Sequence, residues 1–113
     1  MYFLEKRLKA LSDKTRLKLI ALLSIRPCCV CELAEVIGYA QPTISRHLQR
    51  LVEAGFVAYE RRSNFQIYRL SPADKEAENL LTMILKDLQQ QKVFSELKKA
   101  LSRADKRQLW EKS

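Results

Sequence analysis

Apolar residues first recur along the chain at helical spacing. Leu4, Leu8 and Leu11 stand at i, i+4 and i+7, one face of a short helix. Ser12 or Asp13 can cap a second helix over roughly 14–24, with Leu17, Ile20, Ala21 and Leu23 or Ser24 along one side. Pro27 interrupts it: the residue before a proline avoids the helical region, and proline suits the first turn of a new helix. A third short helix is expected over 29–37, with Leu33, Val36 and Ile37 apolar and Gly38 as its stop. A fourth runs from Gln41 to Ala54, with Pro42 in its first turn and Ile44, Leu48 and Leu51 on its buried side. Gly55 follows it, so each of the chain's two glycines stands just past a predicted helix.

The period then changes. FVAYERR and FQIYRL are rich in aromatic and β-branched residues, which predicts two strands. Ser63-Asn64 between them predicts a hairpin turn, with Asn64 the residue suited to positive φ, and Ser71-Pro72 ends the hairpin. Residues 73–113 return to helical spacing. Ala77, Leu80, Leu81, Ile84, Leu85 and Leu88 form one apolar face, and Val93, Phe94, Leu97, Ala100 and Leu101 another. The phase slips across 89–92, which leaves either one bent helix or two. The charged tail after Ala104 is expected to fray. The elements together predict a mainly α fold with a β-hairpin, in the order α-α-α-α-β-β-α(α), as one domain over 1–113.

Length agrees with one domain: 113 residues build one thin core, and a second copy would help to cover it. Charge adds a partner class. The net charge is +8, and it is uneven. Residues 1–72 carry 12 Lys and Arg against 6 Asp and Glu, while residues 73–113 carry 9 against 7. A basic front half suits a polyanion, most simply nucleic acid. The start, MYFLEKRLKAL, has no apolar stretch of the secretory kind, and the run Leu19–Leu23 is far too short to span a bilayer. A cytoplasmic protein is expected, where thiols stay reduced.

Two short helices joined around Gly38-Tyr39-Ala40, the second rich in small polar and basic residues, read as a helix-turn-helix. In that motif the second helix enters the major groove of double-stranded DNA by its N-terminal half. Gln41, Thr43, Ser45, Arg46, His47 and Arg50 supply the short hydrogen-bonding groups and cations that the groove and the phosphates require. A two-stranded wing with Arg61 and Arg62 near its tip can reach the neighbouring backbone. All five basic residues between 41 and 72 are arginines, which suits fork-shaped phosphate contact. Arg69 can instead pair with Glu60 across the strands. His47, the single histidine, suits a DNA-backbone or helix-packing role better than metal ligation, because no partner ligand is near it in sequence.

ALSDKTRLKLIALL, CVCEL, QPTISRHLQRLVEAGFV and YRLSP, in this order and spacing, resemble the ArsR/SmtB family of metal-sensing winged-helix repressors over most of residues 4–72. The resemblance implies a homodimer whose first and last helices pack together, an inverted-repeat operator, and release by a metal or metalloid. The faces at Leu4, Leu8 and Leu11 and within 77–101 would then be dimer surface. Many relatives carry a glycine at the wing tip, and Arg62-Ser63-Asn64 has none. Zinc-sensing members use histidine and carboxylates on the last long helix, but 73–101 contains no histidine, so no such site is expected. Cadmium- and lead-sensing members add N-terminal cysteines, and 1–12 contains none.

All three cysteines lie within 28–31. The family's metalloid-sensing branch carries Cys-Val-Cys-Asp/Glu-Leu where this chain has Cys29-Val30-Cys31-Glu32-Leu33, and its usual third cysteine falls here on Ala34. Thiolates are soft ligands that select soft metals and metalloids, and a helix N-terminus lowers a thiol pKa. In a regular helix Cys29 and Cys31 would point apart, whereas Cys28 and Cys31 could face one another. Two arrangements are therefore open: Cys28, Cys29 and Cys31 around one As(III) or Sb(III), or Cys29 and Cys31 alone with an exogenous thiol or water completing the site. Either requires the first turn of the helix to be unwound or to unwind. The expected function is a metalloid-resistance repressor needing no cofactor to bind DNA, with As(III) or Sb(III) as inducer. The alternatives are a repressor that senses oxidants through the same thiols, and a thiol oxidoreductase built on the formal C-x-x-C of Cys28 and Cys31. No phosphate-binding glycine loop or Ser/His/Asp set points to an enzyme.

Overall fold

Leu19, Ile20, Ala21, Leu22 and Leu23 are buried in succession, so the second half of helix α2 (Lys14–Ile25) is covered on every side rather than along one stripe. A helix apolar all round belongs at the middle of a fold. In this computed structural model, which describes residues 2–112, α1 (Tyr2–Leu11), α3 (Val30–Ile37), α4 (Gln41–Glu53), α5 (Lys75–Leu88) and α6 (Lys92–Arg103) all pack on α2. Asp13 begins α2 as an extended cap whose carboxylate accepts the Arg16 N–H at 2.9 Å. Extended backbone at Arg26, ahead of Pro27, ends it.

The hairpin forms as expected from β2 (Val57–Arg62) and β3 (Phe65–Leu70). Two details differ. Ser63, not Asn64, takes the positive φ, at 57°. The register sets Arg69 opposite Ala58 and Glu60 opposite Ile67, so Arg69 and Glu60 are not directly paired. A third strand, β1 (Cys28–Cys29), joins the other edge of β3, with Cys28 opposite Tyr68 and Cys29 opposite Ile67. Two residues are too short to show any period, which is why the order α-α-α-α-β-β-α(α) lacks this strand. The observed order is α-α-β-α-α-β-β-α-α-α.

The phase slip at 89–92 separates two helices, α5 and α6. The tail after Ala104 does not fray. It closes as a last turn, α7 (Arg107–Trp110), and Trp110 is buried against Cys29 and Ile67. Asp74 caps α5, and the buried Arg7 of α1 grips that cap. The Arg7 guanidinium donates to Asp74 at 2.8 and 2.9 Å, to Glu76 at 2.8 Å and to the Ala54 carbonyl at 2.8 Å. It also lies 4.1 Å over the Phe3 ring. One side chain thus ties α1, the end of α4 and the start of α5. Leu8 and Met83 stay 50% and 64% exposed, beside Leu11, Leu17, Leu80, Ile84 and Leu88 along a groove between α1 and α5. Among the described residues no helix is long and apolar enough to cross a membrane.

Candidate functional site

Helices α3 and α4 pack against each other across a turn in which Gly38 has φ 88°. That left-handed residue stops α3, its N–H reaching the Ala34 carbonyl at 2.8 Å. On α4, Ile44, Leu48 and Leu51 are fully buried. The other face carries the predicted polar set. Gln41, Arg46 and Arg50 are exposed, and Thr43 and Ser45 are half-buried at the turn of the face. The Arg46 guanidinium rests on the Thr43 hydroxyl at 3.3 Å. Gln49, which the sequence reading did not single out, is exposed on the same helix. No side chain caps the start of α4, and an uncapped helix N-terminus favours phosphate.

His47 sits apart from that face. Its Nδ1 lies 3.1 Å from the Arg16 guanidinium of α2 and 3.9 Å from Asp13. Burial lowers its pKa from the ordinary 6.5, with Arg16, Arg46 and Arg50 adding to the effect and Asp13 opposing it. The ring is therefore neutral at pH 7, with Nδ1 as the acceptor for Arg16. These contacts join α4 to α2.

The wing places its two arginines on opposite faces, as strand alternation demands. Arg61, exposed, lines a cleft with Gln41 and Ser45 of α4, Asn64, Phe65 and Gln66 of the hairpin, and Cys29, Val30 and Cys31. Arg62 turns to the other side, beside Glu60, Arg69, Arg107 and Trp110. The cysteines therefore border the same cleft as the N-terminal end of α4 and the wing tip.

The three cysteines divide. Cys29 is the N-cap of α3, with extended backbone at φ −79° and ψ 157°, while Cys31 lies inside the helix. Because Cys29 stands outside the helix, the two residues meet without unwinding a turn. Their Cα atoms are 5.3 Å apart and a disulfide joins them. Of the two expectations, a first turn already unwound or one that opens, the backbone matches the first: the helix expected from 29 begins at Val30, after extended Cys28 and Cys29. Cys28 is the next residue along an extended strand, so it faces the opposite side of the sheet and lies fully buried in the main core. Its thiol points back to the Arg26 carbonyl at 3.3 Å. Burial pushes its pKa up to about 12, against the pull of Arg26, where a helix N-terminus had been expected to lower it. Among the described residues no group of three or more His, Cys, Asp and Glu is arranged to hold a metal ion.

Glu32 organises the ground beneath the pair. It is fully buried. With Cys29 it forms a capping box in which sulfur replaces the usual hydroxyl: the Glu32 N–H donates to Cys29 Sγ at 3.3 Å, and the Cys29 N–H donates to Glu32 Oε1 at 2.9 Å. The same carboxylate accepts Arg26 Nη2 at 2.9 Å, the Lys106 N–H at 2.7 Å and the Trp110 indole N–H at 3.2 Å. Burial alone would raise its pKa, but the Arg26 pair and these N–H groups hold it below the ordinary 4.5. Sequence reasoning missed this hub. The Cys-x-x-Glu spacing of a capping box was its one local signal, and nothing local announced Lys106 or Trp110.

Known proteins resemble this chain in sequence and fold. The pattern of the bacterial regulatory protein arsR family matches residues 13–59. The arsenical resistance operon repressor of Escherichia coli strain K12 is 43% identical over 65 residues, 57% of this chain and 56% of that protein. The chain thus spans little more than half the length of this curated relative. The arsenical resistance operon repressor of Bacillus subtilis strain 168 is 34% identical over 79 residues, 69% of this chain and 73% of that protein. Among solved structures, the homodimeric winged helix-turn-helix DNA-binding domain Mb0332 from Mycobacterium bovis, described as a possible ArsR-family transcriptional regulator, superposes with a TM-score of 0.66. It has 26% identity and covers 77% of this chain and 79% of that one. The helix pair, the wing and these likenesses together establish that the chain is a winged helix-turn-helix protein belonging to the arsR family of bacterial regulatory proteins.

Proposed function

We propose that this chain is a homodimeric repressor that binds an inverted-repeat operator duplex and releases it when Cys29 and Cys31 bind As(III) or Sb(III). The observation that carries this reading is the cleft shared by the cysteine pair, the start of α4 and the wing tip. An ion held there lies between the two elements that would touch DNA. It can bias their spacing by as much as its affinity differs between the two forms, and no more. A coupling of about 1–3 kcal/mol is usual, and a near-complete switch takes about 5.5 kcal/mol.

In this reading Gln41, Thr43 and Ser45 approach base edges, and Arg46, Arg50, Arg61 and Arg62 approach phosphates. His47 holds α4 to α2. Cys28 stays in the core as packing, because an ion at Cys29 and Cys31 lies on the far side of the strand from it. The partner copy covers Leu8 and Met83 along the groove between α1 and α5, where burial of apolar area favours association. The names of the relatives, repressors of arsenical resistance operons, support arsenic as the inducer class. One observation favours a second reading, release by oxidation: Cys29 and Cys31 are already placed so that they join as a disulfide.

Fluorescence anisotropy with the chain's own promoter duplex tests both. Reduced protein should bind with a steep salt dependence and let go on addition of arsenite, and Cys31→Ser should bind DNA yet ignore arsenite. Absence of salt-dependent binding would sink the repressor reading. Release by peroxide but not by arsenite would replace the metalloid with an oxidant.

A further inference from the structure

A trivalent arsenic bound by Cys29 and Cys31 has one ligand position left, and its chemistry follows from what surrounds the pair. The third sulfur of the chain is on the other face of β1, fully buried, and hydrogen-bonded to the Arg26 carbonyl. Cys29 is itself 1% exposed, whereas Cys31 is half-buried and lines the cleft. Besides Val30 and Phe65, the remainder of that cleft is polar and cationic: Gln41 and Ser45 from α4, Arg61, Asn64 and Gln66 from the hairpin. Arg61 is exposed on a strand, opposite Gln66. A guanidinium among amide and hydroxyl groups recognises a carboxylate.

We infer that a small carboxylate-bearing thiol supplies the third sulfur, its carboxylate held by Arg61 with the amide groups of the cleft. The inference rests on Cys29 and Cys31 being the arsenic ligands. Arsenous acid, As(OH)3, exchanges its three hydroxyls for two cysteine sulfurs and one external sulfur. Each thiol gives its proton to a departing hydroxide, and three waters leave. Arsenic remains trivalent throughout. The disulfide is opened first by a two-electron reductant. With a phosphine, the phosphorus takes the oxygen of one water, and each sulfur takes one of its hydrogens. The ternary complex would occupy Arg61, Gln41 and Ser45 together. The same three side chains would then be drawn away from DNA, which gives the co-ligand a direct part in release.

Arsenic K-edge X-ray absorption on phosphine-reduced full-length protein reads the ligand set. With arsenite and no free thiol, two sulfurs and one oxygen are expected. Adding 3-mercaptopropionate should give three sulfurs. Three thiols with the same two-carbon spacer and different charge then test the cleft: 3-mercaptopropionate, 2-mercaptoethanol and cysteamine. The anionic thiol should tighten arsenite binding about tenfold more than the cationic one, the scale of one charge-assisted hydrogen bond. Arg61→Gln should reduce that preference to less than about twofold. Three sulfurs without added thiol would overturn the inference, because the protein would then supply its own third ligand. Two sulfurs under every condition, or equal response to the three thiols, would overturn it as well. Failure of reduced protein to take up arsenite at all would instead remove the metalloid reading beneath it.

Discussion

Removing the Glu32 carboxylate should cost far more than removing any other carboxylate of the chain. Glu32→Ala leaves Arg26, whose side chain is only 12% exposed, without its closest anionic partner. It also strips the N–H groups of Cys29 and Lys106 and the Trp110 indole of their acceptor. Breaking a buried ion pair from one side costs about 3–5 kcal/mol. At about 4 °C per kcal/mol for a domain of this size, the midpoint of thermal unfolding should fall by roughly 12–20 °C. Trp110 is the only tryptophan, so its emission reports the same site. In the variant at low temperature the emission should move to the red, as α7 lifts from Cys29 and Ile67. A second variant separates charge from hydrogen bonding. Replacing both partners by apolar residues, Arg26→Met with Glu32→Leu, removes the unpaired charge and should recover part of the loss. It should not recover all of it, because three N–H donors still lack an acceptor. Circular dichroism melts and Trp110 emission on the single and double variants decide the matter. A Glu32→Ala cost under about 1 kcal/mol, no more than an ordinary exposed ion pair, would refute the claim that this carboxylate holds α7 to the cysteine segment. Unchanged Trp110 emission would refute it equally.

Four further outcomes are expected. Gly38→Ala should cost about 1–2 kcal/mol, the strain of a left-handed alanine, since nothing lies within 4 Å of an added Cβ there. Gly55→Ala should cost more when both variants are unfolded in urea, because its Cβ would fall 2.9 Å from Arg7 Nη2 and 3.1 Å from the Ala73 Cβ; equal costs would mean that Arg7 is not locked. Arg46→Ala should weaken operator binding across sequences and reduce the salt slope by about one, with arsenite uptake unchanged; parallel loss of both would mean that α4 is misassigned. Stability should decline on acidification. Arg7 and the Ala77 N–H hold Asp74 below its ordinary 3.8, and Glu32 is held below 4.5. A carboxylate with a lowered folded pKa contributes stability above its unfolded pKa, and that contribution is lost as pH falls through the folded value. His47, held below its ordinary 6.5, starts a shallow decline of the melting midpoint as pH falls through 6.5, the carboxylates steepen it below about pH 4.5, and a midpoint at pH 3 equal to that at pH 7 would contradict this profile.

The helices were legible because their evidence is local. Asp13 before α2, Gly38 after α3 and Pro42 at the start of α4 each act within one turn, and the structure uses each as such. Arg7 was not legible. It stands among Leu4, Leu8 and Leu11 and looks like one more solvated cation, yet its partners Ala54, Asp74 and Glu76 are 47 to 69 positions away. The same holds for α7. A charged tail carrying Arg107-Gln108-Leu109-Trp110 has no periodicity, and its docking places, Glu32, Cys29 and Ile67, are distant in sequence.

The cysteines turn on a single local choice of conformation that sequence leaves undecided. If residues 28–31 were all helical, Cys28 and Cys31 would share a face and Cys29 would point away. The chain is instead extended through Cys29 and helical from Val30 onward. Extension sends Cys28 and Cys29 to opposite faces of the sheet, one into the core and the other toward Trp110. The helix beginning at Val30 then brings Cys31 round to Cys29. What fixes the switch between the two conformations is the backbone pairing with Tyr68 and Ile67 together with the Glu32 capping box. The wing strand β3 therefore helps to decide which two sulfurs form the pair, and movement of the wing and the geometry of the thiol site are mechanically one problem.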